Sequence, residues 1–185
     1  MPATAPWVLV GEYCGADALP ADVPPPPAVP SLGDIQRAFR ALPFSTPTVS
    51  IQPVGNLTLV NLPTFYRATW SNDAGLQPGE ISQPVQLLTW SVQFRVTAHT
   101  YDYHFGDGTS TGPVTDAGGV YPDGAIRHTY TRPIAAAHVR VDTTLTGQFR
   151  ANGGPWVDLD TVADLQNEPV TTLHVASAHA RLVTH

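Results

Sequence analysis

Several groups of residues in this 185-residue chain have types and spacings that could do chemistry. Gly108-Thr109-Ser110-Thr111-Gly112 fits G-x-S-x-G, the pattern of a serine nucleophile elbow. That elbow needs a strand before the serine and a helix after it. Here Pro113 and a glycine-rich stretch follow, so nucleophilic catalysis is not expected. Asp107, with Asp102, Asp116 and Asp123, could offer carboxylates to calcium, which takes about six to eight oxygens. The spacing is not that of an EF-hand, and Asp158-Leu159-Asp160 with Asp164 lacks the central glycine. Asp107 between Gly106 and Gly108 reads better as a turn residue. Its carboxylate can accept backbone N–H bonds, and the glycines allow positive φ.

The seven histidines invite a metal reading. His99, His138, His174 and His179 fall at or near outward strand positions. His104 and His128 alone would make a poor zinc site, since a third ligand is missing. Trp156 and Tyr121 are candidates for stacking on a ligand, with Trp7 and Trp70 behind them; packing is the commoner role for such aromatics. Only Glu12, Glu80 and Glu168 are glutamates, and no acid pair of glycosidase type stands out. No catalytic residue, metal or cofactor is expected.

Composition narrows the classes further. Lysine is absent, and all nine basic residues are arginine. A Walker-A phosphate loop, Schiff-base chemistry and lysine–asparagine isopeptide crosslinks are therefore excluded. The net charge of −6 supplies no basic face for nucleic acid. No apolar run approaches the roughly 20 residues of a membrane span, and no secretory leader is visible. Cys14 is the single cysteine of the sequence, which excludes an internal disulfide and leaves it free or paired with another chain. Nineteen prolines and 15 glycines favour turns over long helices.

These residues need elements to position them. Residues 1–30 read as an arm: Trp7, Val8, Leu9, Val10 and Tyr13 form a short apolar strand, and Pro24-Pro25-Pro26-Pro27 follows as a semi-rigid polyproline spacer. Residues 31–46 hold a short helix and connector. Ser31 is the N-cap, Asp34 suits the first turn, and Ile35, Ala38, Phe39 and Leu42 share one face before Pro43. Residues 47–185 read as β. Short strands are expected around residues 49–51, 57–60 and 65–70, with a loop over 72–84. From Trp90 to Ala98 apolar and polar residues alternate strictly, and Tyr101, Tyr103 and Phe105 form the next strand. Val139, Val141 and Leu145 alternate with polar residues; a hairpin turn falls at 151–155, and last strands at 170–175 and near 180–183. That density of short strands predicts an all-β, two-sheet sandwich.

The run Tyr103-His104-Phe105-Gly106-Asp107-Gly108-Thr109, followed by His128-Thr129-Tyr130 and the Val139/Val141 strand, resembles the PKD domain (polycystic kidney disease repeat). Tyr103 stands where that family usually has Trp, and His104 where it often has Asp. Leu59-Val60-Asn61-Leu62-Pro63-Thr64 is similar to a segment of actinobacterial secreted or surface proteins. The resemblance implies an immunoglobulin-like sandwich in which Gly106, Asp107, Gly108, His128 and Tyr130 are structural. It also implies a non-catalytic role outside the cell, in structure or adhesion. The apolar arm adds an expectation of its own: strand addition to a sheet edge, on this chain or another copy, and hence self-association or a cell-surface protein partner. The alternative is a carbohydrate- or polymer-binding accessory module using Trp156 and Tyr121.

Overall fold

The structure is a computed structural model that describes residues 28–71 and 75–178. The expected arm strand, Trp7, Val8, Leu9, Val10 and Tyr13, lies outside the described residues. So do Cys14, His179 and the expected strand near 180–183.

Among the described residues, one helix precedes nine strands: α1 (Leu32–Arg40), then β1 (Thr48–Gln52), β2 (Leu57–Leu59), β3 (Pro63–Thr69), β4 (Val85–Leu87), β5 (Trp90–His104), β6 (Arg127–Thr129), β7 (Ile134–Ala151), β8 (Val157–Asp164) and β9 (Thr171–Ala176). The strands make a β-sandwich. The small sheet has the order β1-β3-β6; the large one runs β2-β9-β7-β5-β4, with β8 also on β7. All pairings are antiparallel except β2 with β9.

Alternation fixes which face is buried. In β5, Val92, Phe94 and Val96 point inward, and so do Tyr101 and Tyr103. The inward positions change from even to odd because the register shifts between Ala98 and Thr100, leaving His99 as the extra residue. The sequence reads this change as two strands; the structure keeps one strand of 15 residues that absorbs it in a bulge. β4, which precedes β5, was not expected. Three residues are too few to show a period, and backbone pairing with β5 defines them.

One face of the large sheet is covered twice. Over one half lies the small sheet, enclosing Val49, Ile51, Tyr66, Tyr103, Phe105, Tyr130, Val139 and Val141. Over the other half lies α1, whose Ile35 and Phe39 pack with Val92, Phe94, Val96 and Leu145. Trp70 touches both cores. The helix starts with a reciprocal cap: Asp34 N donates to Ser31 Oγ and Ser31 N to Asp34 Oδ2, both at 3.2 Å. Nine residues hold a helix poorly in water, so docking is what stabilises this one. Gly147 on β7 makes room, since a Cβ there would come within 3.3 Å of the Phe39 ring.

Candidate functional site

At the end of β5 the structure brings Gly106, Asp107, Gly108, His128 and Tyr130 together. Gly106 has φ +78, and a Cβ on it would lie 2.5 Å from the His138 nitrogen. Both the conformation and the close approach therefore require glycine. Asp107 Oδ1 accepts from Thr109 N at 3.0 Å and Thr109 Oγ1 at 2.6 Å. Its Oδ2 lies 2.8 Å from His128 Nε2; a carboxylate only accepts, so the imidazole donates. The His128 ring stacks on Phe105 at 4.3 Å and meets the Tyr130 ring edge-on at 4.7 Å. Tyr130 in turn donates to the Phe105 carbonyl at 2.8 Å and pairs with the Tyr66 hydroxyl at 2.9 Å.

Electrostatics fit a turn clamp. Burial alone raises the Asp107 carboxyl, but the bonds from Thr109 and His128 outweigh it and hold it below its ordinary value. Burial pushes the Tyr130 hydroxyl up to about 12, against a smaller opposing effect of the bond to Tyr66. Burial also moves Tyr66 and Tyr103 upward. These phenols stay neutral and serve as hydrogen-bonding posts. A depressed carboxyl adds stability above its unfolded value of 3.8 and loses that contribution as pH falls through the lower folded value. The gap in melting temperature between the native chain and Asp107→Asn should therefore narrow as pH falls below 3.8. A gap that stays constant through acid would remove Asp107 as the source.

The other candidates are dispersed. Ser110 is exposed, and its Oγ accepts from Gly112 N at 3.3 Å. The chain after it returns along β5, through Thr111 N to Tyr103 O and the mutual pair of Tyr101 and Val114, and no helix follows. Asp116 closes its own turn by accepting from Gly118 N at 2.7 Å. His104 sits with Asp142 at 2.9 Å and Asp102 at 3.8 Å, so His104 and His128 serve different carboxylates. His99, His138 and His174 are exposed. Among the described residues, no group of three His, Cys, Asp or Glu side chains could hold a metal ion. Trp156 is half-buried, with the Arg95 and Arg150 guanidinium carbons 4.4 and 4.7 Å from its ring centre.

Tyr121 is the exception, at 70% exposed. It overhangs the outer face of the small sheet. There Gln52, Phe65 and Arg127 are directly paired neighbours across β1, β3 and β6. Tyr121 N donates to Gln52 Oε1 at 2.8 Å, and its ring stands edge-on to Phe65 at 5.6 Å. With Pro53, Val54, Leu62, Pro63 and Pro122, these residues line an open groove of about 520 Å³. The groove escapes sequence reasoning because its walls come from separate segments with no local motif. Only the cross-strand register puts Gln52, Phe65 and Arg127 in one row.

Comparison with protein-family models, curated proteins and solved structures finds no match for this chain. Among the described residues, no helix is long and apolar enough to cross a membrane.

Proposed function

We propose that this protein is a non-catalytic structural or adhesion module of a cell exterior. In this reading it is an immunoglobulin-like sandwich of PKD type, and the arm at residues 7–13 adds as a strand to a sheet edge of a second copy. The carrying observation is where the arm begins. Ala28 is held by Trp90, whose Nε1 donates to its carbonyl at 3.1 Å. Trp90 is paired with Leu87 of β4, and among the described residues β4 pairs only with β5. The arm thus starts beside an open edge, and open edges are templates for strand addition. The non-catalytic reading draws support from the turn, where the carboxylate and imidazole are spent on one another and on Thr109. Light scattering on the full chain tests it. The native chain should gain mass with concentration, and Trp7→Asp with Leu9→Asp should shift that gain to higher concentration. Equal masses for the two would sink the idea. A second reading, binding of a sugar polymer, draws on the exposed Tyr121.

A further inference from the structure

We infer that the groove under Tyr121 holds a polyproline segment, and that its occupant is the proline run at residues 24–27 of a second copy of this chain. The inference rests on the self-association reading and names where the arm is anchored.

The groove's chemistry matches such a segment. A polyproline helix offers apolar ring edges and backbone carbonyls, but its prolines have no N–H to donate. Recognition therefore calls for aromatic and apolar walls with donors at the rim. Tyr121 and Phe65, with Pro53, Val54 and Pro122, supply the walls. Gln52 Oε1 is already turned to the Tyr121 N–H. Its Nε2 is thereby left as a donor, with no hydrogen bond to another described residue. The Arg127 guanidinium, on an exposed residue, makes no hydrogen bond or ion pair with the other described residues. The proline run is preceded by Asp22-Val23. A carboxylate just ahead of the prolines complements the uncommitted guanidinium at the groove.

Reach decides between the chain's own run and a neighbour's. Pro27 is bonded to Ala28, which sits at the Trp90 end of β5. The groove is beside the opposite end, where the Phe105 ring meets Tyr66, the neighbour of Phe65, at 5.0 Å. A strand of 15 residues runs roughly 45 Å. From Pro24 to Ala28 a polyproline helix spans about 12 Å. The run therefore falls well short of its own groove, and a second copy must supply it. Such a contact is head-to-tail, which builds rings or filaments.

The probe is a fluorescently labelled peptide of residues 17–29, titrated with the full chain carrying Trp7→Asp and Leu9→Asp. Anisotropy should rise to saturation. Adding Tyr121→Ala, or independently Val54→Asp, should weaken binding about tenfold or more. Both side chains are largely exposed, at 70% and 87%, so the fold should tolerate these changes. Arg127→Asp should also weaken it, and a peptide bearing Asp22→Arg should recover the loss. If the peptide binds but light scattering shows the arm variant to associate like the native chain, the groove stands and strand addition fails. Absence of saturation overturns the groove assignment, as does binding unchanged in both Tyr121→Ala and Val54→Asp. An oligosaccharide that binds, is lost on Tyr121→Ala and is not displaced by the peptide would overturn it in favour of sugar recognition.

Discussion

Replacing Tyr130 with Phe should destabilise the protein by about 2–4 kcal/mol, whereas the same change at Tyr103 should cost only about 1. Both tyrosines are fully buried, so burial does not separate them. What differs is the state of their partners after the hydroxyl is gone. The Tyr130 hydroxyl donates to the Phe105 carbonyl and bonds Tyr66. Phe105 is 3% exposed and Tyr66 is fully buried, so both groups lose a partner away from water. Each such loss costs about 1–3 kcal/mol. The Tyr103 hydroxyl accepts from Ala68 N at 2.7 Å and donates to Ala117 O at 2.7 Å. But Ala68 N also donates directly to Ala117 O at 2.9 Å, and that bond survives in Tyr103→Phe. For a chain of this size the first variant should melt roughly 5–12 °C lower and the second roughly 2–4 °C lower. Thermal unfolding followed by circular dichroism checks the order. Equal shifts would mean that the closed triangle around Tyr103 gives no protection.

The contrast bears on what the sequence could reveal. Tyr66 and Tyr103 are visible as strand residues, and the Gly106-Asp107-Gly108 turn is legible because glycine and aspartate have local reasons to be there. The helix at Ser31 is legible for the same kind of reason, since its capping box lies within four consecutive residues. Hydroxyl partners are not legible, because they are set by tertiary approach: Tyr130 meets Tyr66 across 64 residues of chain. The groove fails for that reason too, since Gln52, Phe65, Tyr121 and Arg127 meet only through register. β5 is a middle case. Its alternation is plain on either side of His99, but a change in parity looks the same in sequence whether a strand ends or bulges. Only β7, which continues opposite both halves, makes it one strand.

β7 also explains why the helix belongs to the sandwich, and Phe39→Ala measures how strongly. Phe39 is fully buried. Its ring lies 5.7 Å from Phe94 and 5.3 Å from Phe44, over the space that Gly147 leaves on β7. Removing a buried phenyl ring costs about 3–5 kcal/mol when the walls of the cavity do not collapse. Collapse is resisted here because the cavity floor is the paired backbone of β5 and β7. α1 is also tied at its flank by Gln36 Nε2 to Asp160 O at 2.8 Å and Arg40 to Thr161 at 2.6 Å, both on β8. Phe39→Ala should therefore lower the melting temperature by roughly 8–15 °C. The transition should stay single, because Trp70 joins the core under the helix to the core between the sheets. Two resolved transitions, with the sandwich melting as before, would instead mean that helix and sandwich unfold independently and that their shared core carries little of the stability. A single transition at unchanged temperature would mean that the site repacks around the smaller side chain despite its backbone floor.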